Sequence, residues 1–88
     1  MSDYTPVSEK ALHGGIQRIY SFDNGWAASV IKGPYTYGGP EGFWELAVLE
    51  GVAGDISYDT PLTDDVIGWL TDEELENTLA AIAELDPL

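Results

Sequence analysis

The chain has one histidine and no cysteine, so thiol chemistry and thiolate metal sites are absent. Ser-His-Asp catalysis needs a base held within reach of a nucleophile. His13, followed by Gly14-Gly15, reads instead as a solvent-exposed side chain in a segment with little to fix it. The glycine-rich run GPYTYGGPEG over residues 33–42 has Lys32 before its glycines rather than after them, and no helix is expected behind it. It therefore does not read as a phosphate-cradling loop. Carboxylates remain. Glu45 alternates with Phe43 and Ala47 and could project among aromatics, the setting in which a raised pKa supports acid/base hydrolysis with Glu41 or Asp59 as the second group. The plainer expectation is a solvated side chain on the open face of a two-layer domain. Asp55, Asp59, Asp64 and Asp65 suit a hard cation by type, but an EF-hand loop starting at Asp55 places Thr60 where glycine is required and Val66 where a bidentate glutamate belongs. No catalytic residue, metal or cofactor is expected, and the chain reads as non-enzymatic.

Charge gives the stronger signal. Every Lys, Arg and His lies before residue 33, whereas residues 41–88 hold thirteen Asp and Glu, so the formal charge of −13 belongs to the second half. Such a field opposes binding to nucleic acid and to anionic lipid, both polyanions, and favours a basic protein surface. Ordinary solvated faces mix both signs. Asp72, Glu73, Glu76 and Glu84 on the expected C-terminal helix, with Asp59, Asp64 and Asp65 before it, are expected to form a negative face. A basic groove that receives DNA, with its charge about every 1.7 Å, is one surface able to accept it. The second expected contact element is the glycine-rich loop with Tyr35 and Tyr37, whose composition resembles adaptable binding loops, with Glu41 inside it and Glu45 beyond it as further contacts. The alternative for the two tyrosines is a lid folded back over the sheet edge.

At 88 residues the chain is read as one domain stabilised by packing or oligomerisation, with an α+β fold: an antiparallel sheet of three to four strands and a C-terminal helix on one face. Residues 1–14 read as a loose arm. Residues 16–22 and 26–32 read as strands joined through Asp23-Asn24-Gly25, where Asn-Gly supplies the positive φ angles of a tight hairpin. Residues 43–50 alternate as a third strand, residues 50–55 are turn-like and Ile56 to Tyr58 fit a short fourth, completing a meander over 16–58. The segment 63–85 reads as helical. Thr63-Asp64-Asp65 would open a single turn closed by Gly68, and Thr71 with Glu74 forms a capping box for the main helix, ended by Pro87. Leu75, Leu79 and Ile82 then face Trp44, Leu46 and Val48, with Trp26 and Trp69 capping the core.

Four stretches, Asn24 to Val30, Tyr37-Gly38-Gly39, Glu45 to Leu49 and Tyr58 to Gly68, resemble small uncharacterised proteins of tailed bacteriophages, a similarity running from about Arg18 to Leu85. The resemblance carries no activity and no site residue. It implies a context in which small acidic proteins often inhibit host or defence proteins, and hence the cytoplasm of an infected bacterium. With no apolar run near the ~20 residues of a membrane span and no signal-peptide pattern, the residues agree with that location. The expected function is a small acidic binding protein, an inhibitor or nucleic-acid mimic engaging a basic host protein. The alternative is a structural or assembly protein acting as a homo-oligomer, such as a homodimer, within a virion.

Overall fold

The computed structural model describes residues 4–36, 38–50 and 67–87. Two turns pin the first three strands. His13 and Gly14 both take positive φ, 48° and 80°, the pair that a two-residue type I′ turn demands. Ser8–Leu12 (β1) and Gly15–Ser21 (β2) consequently pair in register, with Leu12 opposite Gly15 and Ser8 opposite Ile19. The second hairpin runs from β2 to Ala27–Lys32 (β3). Here the Gly25 N–H donates to the Phe22 carbonyl at 3.1 Å and the Phe22 N–H donates to the Trp26 carbonyl at 2.9 Å, with φ of +93° at Gly25. This is a three-residue loop closed by a glycine bulge. The Asn-Gly pair marks the hairpin, but Asn24 does not share the positive φ expected of it.

Trp44–Leu49 (β4) and Ile67–Leu70 (β5) complete an antiparallel sheet in the order β1-β2-β3-β4-β5, followed by the helix Asp72–Ala83 (α1). The fold is α+β, with five strands among the described residues rather than three to four. The arm expected over residues 1–14 is corrected: β1 is a strand, and Tyr4 packs edge-on against Phe22 with ring centroids 5.8 Å apart. Its residues are mostly exposed, so ladder hydrogen bonds and the tight turn hold it rather than apolar burial, and apolar periodicity carries no trace of it. The helical turn expected around Ile67 and Gly68 is also corrected, since both belong to β5. The expected fourth strand over residues 56–58, the turn over 50–55 beyond its first residue and the cap at Thr63 lie outside the described residues.

Alternation along the strands sends one set of side chains to the helix. Ala28 stands opposite Val48 and Tyr20, and Val30 opposite Leu46. With Trp44 and Leu70 they meet Leu75, Leu79 and Ile82, as the two periodicities predict. Leu46, Val30, Leu79 and Ile82 are fully buried, each worth about 1.5–3 kcal/mol relative to exposure.

The helix ends are fastened differently. At the N-terminus the Glu74 N–H donates to Thr71 Oγ1 at 3.1 Å and the Thr71 N–H donates to Glu74 Oε1 at 3.0 Å, the capping box the sequence predicts. The C-terminus has no basic residue in its last turn. Instead Asn24 Nδ2 donates to the Ile82 carbonyl at 2.8 Å and to the Leu85 carbonyl at 3.1 Å, while its Oδ1 accepts from the Trp26 N–H. Trp26, half-buried on the core, donates its indole N–H to the Asp86 carbonyl at 2.8 Å. The hairpin tip thus supplies the donors that the last turn of a helix lacks. An Asn24→Ala chain should lose about 2 kcal/mol of unfolding free energy, roughly 10 °C in melting temperature at this size. A thermal melt within about 2 °C of wild type would show that these bonds contribute nothing.

Candidate functional site

Two of the three cations of the first half, Arg18 and Lys32, gather on one face of the sheet, whereas Lys10, opposite Gln17, stands on the other. In β2 and β3, Arg18 pairs with Val30 and Ile16 with Lys32, so both cations lie on the helix-covered face. Both converge on one ring: the Arg18 guanidinium carbon lies 4.9 Å, and Lys32 Nζ 4.1 Å, from the Trp44 centroid. Arg18 Nε also donates to Glu9 Oε1 at 2.6 Å, and that carboxylate holds the guanidinium pKa above its ordinary value. The Trp44 indole N–H donates to Asp72 Oδ1 at 2.8 Å. Asp72, Glu73 and Glu74 therefore crowd the positive end of the α1 dipole, where acids are favourable. None of the α1 acids has an ion-pair partner among the described residues.

The opposite sheet face carries a different group. Between β4 and β5 the register pairs Trp44 with Leu70 and Leu46 with Ile67, so Gly68 and Trp69 together stand opposite the single residue Glu45. This is a bulge, a device that re-aims a side chain. Trp69 takes a φ of +60°, which is unusual for a bulky residue. Its ring, 57% exposed, lies 5.9 Å from that of Phe43 and against Gly38, where an added Cβ would come within 3.0 Å of the indole. The expected role of Trp69 as a cap of the core is thereby corrected: the bulge turns its indole onto the glycine-rich loop.

On the other side of Glu45 stands Ile31. Beyond it the segment Gly33-Pro34-Tyr35-Thr36 closes as a turn: the Thr36 N–H and Oγ1 both donate to the Gly33 carbonyl, at 3.3 and 3.0 Å, and the Gly33 N–H donates to Thr36 Oγ1 at 3.1 Å. Pro34 occupies the position that favours such a turn. Tyr35 is held at its tip, 87% exposed, so it is not a lid. Leu12, Ile16, Ile31, Tyr35, Thr36 and Glu45 surround a concavity of about 140 Å³, with His13 at the β1–β2 turn beside it. The arrangement is a half-buried carboxylate with aliphatic walls and an exposed aromatic ring at its rim, which is chemistry for holding a cation.

Of the expected contact residues, Tyr35 and Glu45 meet at this concavity. Glu41 is exposed on a single 3-10 turn over Gly39–Glu41. Asp72, Glu73 and Glu76 lie on α1, across the sheet from Glu45. The expected residues thus divide between two sides of the sheet. Tyr37, Asp59, Asp64 and Asp65, with the rest of the calcium-type cluster at Asp55, lie outside the described residues. Among the described residues no group of three or more His, Asp or Glu could hold a metal ion, and no helix is long and apolar enough to cross a membrane. Sequence reasoning missed Trp69, Leu12 and Ile31 as parts of this face and the stacking of Arg18 and Lys32. Only the strand register brings them together. No family model, curated protein or solved structure matches the chain.

The α1 cap gives a pH test. Hydrogen bonding from the Thr71 backbone, then from its side chain, holds the Glu74 carboxyl below the ordinary carboxylate range. A depressed pKa contributes stability that is complete above the unfolded value and lost as pH falls through the folded one. A Glu74→Gln chain should therefore melt below wild type at neutral pH, with the gap narrowing on acidification. A gap that stays constant with pH would show that the charge at this cap is immaterial.

Proposed function

We propose that this is a small, non-enzymatic, acidic binding protein of phage type that docks on a basic surface of a host protein and inhibits it. The observation that carries the reading is the segregation of charge: Arg18 and Lys32 are gathered on Trp44, while the acids of α1 project without cationic partners among the described residues. Glu73 and Glu76 are one turn apart on that helix, so they share a side of it. Literal duplex mimicry by α1 alone is not supported. Its twelve residues span about 18 Å at 1.5 Å each, a length over which DNA carries roughly ten charges against the four of Asp72, Glu73, Glu74 and Glu76. The docking we propose is therefore general charge complementarity with a basic protein, with a nucleic-acid-binding protein as one such partner.

A second reading, a homo-oligomer in an assembly, is favoured by the exposed rings of Tyr35 and Trp69. Light scattering separates the two, since a stable dimer that hides the Tyr35 turn would support the assembly role and a monomer the binding role. For the leading reading, a pull-down from bacterial lysate should capture a partner at low salt and release it as the Debye length contracts from about 10 Å at 0.1 M to a few ångströms at 1 M. The Glu73→Lys, Glu76→Lys double variant should capture less at every salt concentration. Absence of capture, or retention indifferent to both salt and charge reversal, would overturn it.

A further inference from the structure

We infer that the concavity beside Glu45 receives one basic side chain, a lysine or arginine, presented by a protein partner. The inference deepens the binding reading above and rests on it for the partner's charge. Size argues first. At about 140 Å³ the space is smaller than the roughly 300–1,000 Å³ of small-molecule sites, so it suits a single side chain rather than a metabolite.

The lining then selects the side chain. Leu12 and Ile31 offer aliphatic walls of the kind along which the methylene stems of lysine and arginine lie while their charged heads seek polar groups, whereas Ile16, opposite Lys32, belongs to the helix-covered face. The polar group is Glu45, half-buried between its β3 neighbour Ile31 and the β5 bulge. A carboxylate offers about four acceptor sites, so an intramolecular contact leaves it able to take a further donor. Tyr35 presents an aromatic ring at the rim, and rings attract cations within about 6 Å of their centroid. Because Thr36 locks the turn that carries Tyr35, ordering this contact on binding costs little.

The cation nearest in sequence does not fill the site. Lys32 contributes to the lining, but its amine sits over Trp44 on the helix-covered face. The same disposition argues against an anion, because the available ammonium is turned away and a carboxylate faces the space. His13 is the remaining basic group in the lining.

The test uses the whole chain, isotope-labelled, and capped pentapeptides with lysine, arginine, norleucine or glutamate between paired glycines. The lysine and arginine peptides should shift the amides of Leu12, Ile31 and Thr36 saturably, with norleucine at least severalfold weaker and glutamate silent. Glu45→Gln should abolish the preference for lysine over norleucine, and Tyr35→Ala should weaken lysine binding by roughly two- to fivefold. Equal shifts with norleucine, or shifts confined to Glu73 and Glu76, would overturn the site in the wild-type chain without reliance on any variant. Lysate capture that survives both substitutions would also overturn it while leaving the basic-partner reading intact. Saturable lysine binding here, without lysate capture, would support the site and sink that reading instead.

Discussion

The Trp44 ring joins the parts of this fold that its charge distribution would otherwise set apart. It is almost fully buried in the face that receives α1, yet every edge of it with polar character is used. The indole N–H holds Asp72 in the first turn of the helix, and the π-face draws Arg18 and Lys32 inward from β2 and β3. An aromatic quadrupole attracts cations at its face and offers a positive edge to acceptors, so one residue can meet both signs. A buried Leu at this position would pack the core and leave the three charged groups without this common partner.

The two sides of the sheet have correspondingly different characters. On the helix side, cations and rings are spent on holding the structure together, and the outward surface of α1 is left to its acids. On the other side, Glu45 stands between Ile31 and the β5 bulge, with Tyr35 raised beside it on a turn closed by Thr36. Trp69 adopts a backbone conformation costing of order 1–3 kcal/mol and remains largely exposed. Elements placed in this way contribute little to the core.

The helix and its opposing strand are legible in the sequence because two periodicities coincide there: Trp44, Leu46 and Val48 alternate, while Leu75, Leu79 and Ile82 recur at helical spacing. The Thr71 and Glu74 cap follows from residue types at fixed offsets. By contrast, β1 carries Glu9 and Lys10 and shows almost no apolar pattern, and the turn that seats it uses His13 at positive φ instead of the commoner Asn or Asp. β5 is short, interrupted by Gly68, and recognisable only through its pairing with β4. The concavity draws on β1, β3, β4 and the glycine-rich loop. No local stretch encodes it, because its walls become neighbours only after the strands find their register.

Fastening the end of α1 with the Asn24 amide has a further meaning for a chain that has no cation beyond residue 32. A lysine there would bind the helix terminus by a force that salt weakens, and it would also neutralise part of the acidic surface. An uncharged amide does neither. Its grip is independent of ionic strength and has no proton to lose near neutrality, so salt that screens the acidic side leaves this joint closed. Holding the helix end and charging the acidic surface are thereby assigned to interactions that answer to different variables.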